Sequence, residues 1–459
     1  MKAGARRHSL ARPKAGFVDP TFGVTMHAMS TLEQVYDAIF EEEEGRTCEA
    51  IPEDACREAP RSFFLNAANG AATKFAEQLS SPDLVLAWLL SVLGAPVFLS
   101  GLLVPFRRAG SLLPQLAVSG RIRTVPVRKV VWVRAAVVQV IALALMAILI
   151  ALFPQASAGY GVLILLVAFS VASGVASVSY KDVLAKTIPK GKRGRLLATR
   201  ATVGGGLTLG AGIVLYLFIQ DTSSRWPYVV LLASAAALFA VATALFAAIR
   251  EVPGETDGGR TPFEEVKAAG GALSKDSGLR RFITVRALLL LIPLLQPFYV
   301  LRARALTGSA LGGLGLFVIA AGVGRLLGGP IWGGPVDRSA RGSMSVAALL
   351  GGIAAAYALV FPLLPDGAQT LAVFAPVFLL NTIAYAGARL GRKTYLVDYA
   401  PDSDRPLYVS LSNTIIGVAM LAGSLLGLVA ELAGLPIVIG AGLAMLLLAS
   451  GLSFGLPKT

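Results

Sequence analysis

The sequence predicts an all-α polytopic membrane protein of about twelve transmembrane helices in two six-helix bundles. Three observations predict it. The 459 residues are 55% hydrophobic and only 15% charged, where a soluble domain averages about 25% charged, and the mean hydropathy is +0.70. Apolar runs near the roughly 20 residues that a bilayer requires recur along the chain. Finally, the basic stretch Lys181–Gly206 has a weaker copy from Lys393. In one register Lys181, Leu184, Pro189, Arg193, Thr202 and Gly205 match Lys393, Leu396, Pro401, Arg405, Thr414 and Gly417 (401 less 189 is 212). A constant offset of that size makes an apolar chain of two related halves.

Residues 1–60 are expected to be a cytosolic N-terminal segment. Residues 1–28 are rich in Arg, Ala, Pro and Gly and lack the apolar stretch of a secretory signal. A transit-like character, or a start at Met26 or Met29 in place of Met1, both stay open. From Ser30, the residues Leu32, Val35, Tyr36, Ile39 and Phe40 recur at helical spacing up to Glu41–Glu44, with Ser30 or Thr31 as cap. This is an amphipathic helix on the cytosolic side, with a partner-binding arm as the alternative. Cys48 and Cys56, with His8 and His27, are too few for a metal site. Two reduced cysteines in a small packed segment is preferred over a disulfide.

The expected spans are 62–80, 84–106, 130–153, 160–186, 198–219, 227–249, 281–301, 309–333, 344–364, 369–389, 408–430 and 434–455. Loop charge orients them. With the N-terminus inside, cytosolic loops carry Arg107, Arg108, Arg121, Arg123, Arg128 and Lys129, then Lys190, Lys192, Arg193 and Arg195. They continue with Arg250, Arg260, Lys267, Lys275, Arg280 and Arg281, then Arg338, Arg341, Arg392, Lys393 and Arg405. The opposite face holds Arg225, Arg302 and Arg304. Both termini are thus expected in the cytosol. The net charge of +14 is spent in these loops, so nucleic acid is not an expected partner. The chain divides into a bundle over 61–250, a cytosolic linker over 251–280 and a bundle over 281–459. In the linker, Thr261-Pro262-Phe263-Glu264 is a capping box that predicts a short helix to about Ala272.

Between the eighth and ninth spans runs Gly333-Gly334-Pro335-Val336-Asp337-Arg338-Ser339-Ala340-Arg341. It resembles the loop motif G-x-x-x-D-[RK]-x-G-[RK] of the major facilitator superfamily. Gly333, Asp337, Arg338 and Arg341 match; Ala340 replaces the second glycine. Over roughly 60–455 the chain is similar to permeases of that superfamily, in particular to an uncharacterised bacterial subgroup. The resemblance implies a permease fold, a bacterial inner membrane and a gating role for the four matching residues. An Asp at a helix end can accept charge-assisted bonds that latch one conformation; a plain positive-inside loop is the alternative. The family's main copy of the motif falls at Gly101–Gly110, where Arg107, Arg108 and Gly110 stand but the aspartate is missing. The Gly-Pro motif of proton-coupled drug exporters is absent too; Gly204, Gly205, Gly206, Gly210 and Gly212 occur without the proline. The stretch from Ser111 to Lys129 reads as an interfacial segment.

Intramembrane polar residues are functional candidates because they are costly. On the first span Asn66, Gly70, Thr73 and Glu77 share an arc of about 60°, flanked by Asn69 and Lys74. Phe64, Leu65, Ala68, Ala71 and Phe75 lie opposite. Lys74 and Glu77, three apart, can pair. Glu77 is the candidate for proton exchange and Lys74 for holding a substrate anion; a structural pair is the alternative. The seventh span offers Arg286, Gln296 and Tyr299 around Pro293 and Pro297, which can break a helix beside a cavity. Arg286 either snorkels to the surface or meets substrate. Arg325 in the eighth span lies too deep to snorkel and requires a partner. Asn381 and Tyr385 share a face of the tenth and either bond neighbouring helices or meet substrate. Lys181 and Asp182 read as an interface ion pair.

No G-x-x-x-x-G-K-[ST] loop fits, and two histidines outside the apolar core leave no H-E-x-x-H or Ser–His–Asp site. An enzyme is not expected, nor a cofactor. The expected function is a secondary active transporter, working by alternating access on an anionic or zwitterionic metabolite, with proton coupling as an option. A drug or metabolite exporter of the same fold, or a non-transporting sensor or scaffold, are the alternatives. The expected partners are a small-molecule substrate and the bilayer, and the expected state is a monomer. Substrate identity and direction are not legible.

Overall fold

The computed structural model describes Tyr36 and residues 57–153, 156–189, 193–218, 224–253, 273, 276–307, 312–401 and 405–458. Of the N-terminal amphipathic helix only Tyr36 is among them, and it is helical. Cys48, Cys56 and the linker helix lie outside the described residues. Met1–Glu43 is one compact unit and Glu44–Thr459 another; everything below lies in the second.

All regular structure among the described residues is helical. In chain order the elements are α1 (Ala59–Leu79), α2 (Val85–Val92), α3 (Val97–Arg123), α4 (Lys129–Leu152), α5 (Ala158–Thr187), α6 (Arg193–Phe218) and α7 (Trp226–Ala247). Then come α8 (Ser277–Leu288), α9 (Leu291–Thr307), α10 (Gly312–Arg338), α11 (Ala340–Val360), α12 (Leu371–Phe374) and α13 (Pro376–Tyr399). The chain closes with α14 (Arg405–Ala422), α15 (Leu425–Ala433) and α16 (Leu435–Phe454). Among the described residues, nine helices are long and apolar enough to cross a membrane. Their outer faces are apolar: Val137, Val138, Ile141, Leu145, Ile148 and Leu152 make one exposed stripe along α4, the pattern of a helix facing lipid.

The first two spans are not where the sequence places them. One broken helix, α1 then α2, covers residues 59–92, and α3 begins only at Val97. The break falls at Ser80-Ser81-Pro82-Asp83, where proline has no N–H to offer. Ser81 covers the loss: its carbonyl accepts from Leu86 N–H at 2.9 Å and its hydroxyl from Val85 N–H at 3.3 Å. The chain then turns at Gly94, with φ of +66°. Ala95 N–H donates to Leu90 O and Gly94 N–H to Ser91 O, the paired bonds of a glycine-terminated helix end. Pro96 follows as N-cap of α3. Arg107 and Arg108 therefore stand inside α3, not in a loop, and the stretch from Ser111 continues that helix to Arg123.

The two halves pack alike. Helix α1 packs on α6 and α7, as α8 packs on α14 and α16; α5 packs on α3 and α4, as α13 packs on α10 and α11; α4 meets α7 as α11 meets α16. The helix starts repeat with the offset found in the sequence: 405 less 193 is 212 for α14 and α6, 340 less 129 is 211 for α11 and α4, and 371 less 158 is 213 for α12 and α5. The halves meet where α6 lies on α10 and where α3 lies on α14 and α15.

Candidate functional site

Halfway along the spans, polar side chains converge from both halves. On α1, Glu77 joins Lys74 at 2.7 Å and Arg107 of α3 at 3.2 Å. The pairing of Lys74 with Glu77 agrees with their spacing; Arg107 was misplaced in a loop by the sequence. Its guanidinium also lies 5.1 Å from the Phe169 ring. Neighbouring Arg108 points across the interface, donating to the Tyr385 hydroxyl of α13 at 2.5 Å and lying 5.0 Å from its ring centre. Arg325, at the middle of α10, donates to the Gln78 side chain of α1. These two bonds tie the halves together at mid-depth. Asp83, in the break between α1 and α2, is within electrostatic reach of Arg107, Arg108 and Arg325.

The other candidates divide into two satellite clusters. Asn66 and Asn69 are fully buried. Both accept from Arg200 of α6, at 3.2 and 3.3 Å. Arg200 also bonds Tyr180 and lies 4.4 Å from its ring centre, while Asn69 donates to Ala242 O of α7 at 2.8 Å. Gly70 makes room for this arginine: a Cβ there would overlap the Arg200 side chain and force it to move. Thr73 bonds its own helix at Asn69 O. In the second half, Arg286 does not snorkel. It is buried, donating to Ser412 at 2.5 Å and Asn413 at 2.7 Å on α14. Asn381 donates to Gln296 at 3.1 Å, so Asn381 and Tyr385 both bond neighbouring helices.

A cationic face descends from the centre. Tyr385, Arg389 and Arg392 lie on one face of α13, and the two arginines are within electrostatic reach of Tyr385 and of each other. The sequence put Arg392 and Lys393 in a loop; they lie inside α13. Lys393 is in electrostatic reach of its repeat partner Lys181. Asp182 pairs with Arg128 at 3.2 Å instead of with Lys181.

Contacts between the halves sit toward the face away from the basic loops. There Arg304 bonds Ser91, Phe98 N–H donates to Glu431 at 3.1 Å, and the Trp88 ring lies 5.7 Å from Phe317. Gly101 and Gly427 bring α3 and α15 so close that a Cβ on Gly101 would lie 2.3 Å from the Gly427 Cα. Toward the basic face, a Cβ at Gly329, Gly333 or Gly334 would meet nothing within 4 Å. In the Gly333–Arg341 motif, Arg341 donates to Phe454 O at 3.0 Å and Leu456 O at 2.9 Å, closing the end of α16. Asp337 and Arg338 are exposed and make no ion pair with a described residue. Among the described residues no group of three His, Cys, Asp or Glu side chains is placed to hold a metal.

No family model matches the chain. It is 27% identical over 267 residues to uncharacterised proteins of Mycobacterium tuberculosis and Mycobacterium bovis, an alignment covering 57% of this chain and 51% of each relative. The chain thus spans about half the length of the curated relatives it matches. Solved structures match far more of it. The inward-open xylose transporter XylE from E. coli superposes with a TM-score of 0.63 at 14% identity, covering 86% of this chain and 96% of that one. The nucleoside transporter NupG gives 0.62 at 12%, covering 85% and 98%. A POT family transporter in complex with a thioalcohol-conjugated peptide gives 0.64 at 12%, covering 88% and 97%. A likeness that runs almost the full length of each solved transporter, at identities this low, is a likeness of fold: this chain is a multi-pass membrane protein with the fold of the major facilitator superfamily transporters.

Proposed function

We propose that the chain is a secondary transporter that moves a small anionic solute by alternating access. The observation that carries this reading is the pair of mid-depth bonds between halves, Arg108 to Tyr385 and Arg325 to Gln78. Neither arginine is matched there by a carboxylate in contact, which suits a site made for an anion. The moving bodies are the bundles 61–250 and 281–459, joined by the linker 251–280. Lys74, Arg286, Gln296, Asn66, Asn69, Thr73 and Asn381 serve as surrounding positions. Gly333, Asp337, Arg338 and Arg341 serve a gate at the basic face, where Asp337 makes no ion pair with a described residue. Loop charge supports a bacterial inner membrane with both termini in the cytosol, so this gate lies on the cytosolic side. The chain acts as a monomer and is not an enzyme.

Proton coupling through Glu77 is the second reading. What favours it is that Glu77 joins α1 to α3, so its protonation would release Lys74 and Arg107. The test is uptake of labelled anions, amino acids, sugars and lipophilic cations into vesicles holding the full chain. Saturable, protein-dependent uptake of an anion is expected, falling by about tenfold or more in Arg108→Gln, since a hydrogen bond to a charged group contributes about 1.5–3 kcal/mol. Uptake confined to lipophilic cations would replace this reading with drug export. No uptake of any class would leave a scaffold.

A further inference from the structure

Resting on the transporter reading, we propose that the central site takes a doubly charged oxyanion, two carboxylates or a phosphate ester, and that the protein is an obligatory exchanger with no proton in its cycle. The inference starts from a charge count at mid-depth. Glu77 is already committed to Lys74 and Arg107, at 2.7 and 3.2 Å. What remains is Arg108 and Arg325 at mid-depth, with Arg389 and Arg392 on the face that descends from it, four guanidinium groups within electrostatic reach of Tyr385. Among the described residues one uncommitted carboxylate, Asp83, faces two of them, and Arg108 also feels the already paired Glu77. The contacts that Arg108 and Arg325 do make are with neutral groups, a phenol and an amide.

Those groups come from both halves. Arg108 is on α3, whereas Arg325, Arg389 and Arg392 are on α10 and α13. To change sides, the halves must close over the site from the basic face. Closure removes water from the guanidinium groups and presses like charges together. An empty site would then bury several uncompensated charges, each costly at membrane depth. A substrate with one negative charge leaves most of the excess in place. A substrate with two, placed between Arg108 and the α10–α13 pair, offsets most of it. Only the loaded carrier crosses, in either direction, so each inward movement is matched by an outward one. Glu77 cannot supply the missing compensation, because protonating it removes a negative charge and enlarges the excess.

The test uses the full chain in vesicles and the probes succinate, inorganic phosphate and glycerol 3-phosphate, with lactate, glucose and glycine beside them. Labelled probe is offered to vesicles that are empty or loaded with the same unlabelled compound. At least one dianion is expected to enter loaded vesicles about a hundredfold faster than empty ones, the ratio corresponding to one charge buried at the membrane centre. An imposed proton gradient should drive no entry into empty vesicles. Arg392→Gln, which removes one uncompensated charge away from the bonds between halves, should lower the loaded-to-empty ratio by about tenfold or more. Equal entry into empty and loaded vesicles, proton-driven net uptake, or an unchanged ratio in Arg392→Gln would each overturn the proposal. Transport of glucose, glycine or lactate without any dianion would overturn it and leave the transporter reading standing. Failure of every probe would remove both.

Discussion

Glu77 holds two cations that differ in depth. Arg107 is 17% accessible at its side chain, while Lys74 is 56% accessible. Removing the carboxylate strands the deeper cation; removing Lys74 leaves Glu77 still paired. Glu77→Gln is therefore expected to destabilise by about 2 kcal/mol, and Lys74→Met by less than about 1 kcal/mol. Thermal unfolding in detergent compares them, and equal losses would contradict this order. At the basic face, Asp276 caps α8 through Leu279 N–H at 3.0 Å and accepts from Tyr399 at 2.6 Å and Tyr408 at 2.9 Å. Burial pushes its carboxyl up, but the bonds from Tyr399, Leu279 and Tyr408 outweigh it and the value lies below the usual range. A depressed carboxylate stabilises above its unfolded value, about 3.9, and that share vanishes as pH falls through its lower folded value. Asp276→Ala is expected to cost about 1–2 kcal/mol at pH 7. The gap from wild type, followed by unfolding at a series of pH values, should close on acidification; a gap that widens would contradict it. Single polar residues were legible as candidates in Asn66, Asn69 and Glu77, since a polar side chain in an apolar run is conspicuous. Arg200 was missed although it falls inside the expected span 198–219, because it follows the loop cations so closely that it reads as the end of the span.

At the scale of elements, the loss was at Gly94. Residues 84–106 read as one apolar run, and apolarity alone does not show a turn inside it. The signal was the Leu93-Gly94-Ala95-Pro96 sequence: a glycine able to take positive φ, with a proline two residues on. Missing it shifted Arg107 and Arg108 from mid-membrane to a loop and hid the centre of the site. The basic end of the first half shows how it holds without the missing motif aspartate. The Glu251 side chain is fully buried and accepts from Lys129 N–H at 2.6 Å, Arg128 N–H at 3.1 Å and Lys186 Nζ at 2.8 Å. It caps α4 and ties it to α5. Glu251→Ala leaves the half-buried Lys186 without its carboxylate and two N–H groups at the start of α4 without their acceptor, and is expected to cost about 1–3 kcal/mol in thermal unfolding; an unchanged Tm would contradict that. Gly101→Val tests the seam on the other face. Its side chain meets the Gly427 backbone, so a loss of about 1–3 kcal/mol is expected, with the seam pushed apart.

For the whole molecule, the repeat was legible because identical residues happened to survive in one loop, and the helix starts then confirmed the offset across the chain. It reaches single contacts. Lys129 donates to Ala247 O and Ile249 O at the end of α7, and Arg341, 212 positions on (341 less 129), donates to Phe454 O and Leu456 O at the end of α16. The midplane charges keep the symmetry only in part: α3 and α10 are counterparts, but α1 and α13 are not, and no pattern within either half announces that they meet. The claim that joins fold to function is that these halves rock about that centre. Two spin-label pairs on a Cys48→Ser, Cys56→Ser background measure it in vesicles. Ala185→Cys with Val397→Cys spans the basic mouth; Ser157→Cys with Asp366→Cys spans the other. Adding the transported anion should shorten the first distance and lengthen the second in the same population of molecules. Distances that stay single and unchanged at both mouths would contradict alternating access in this protein.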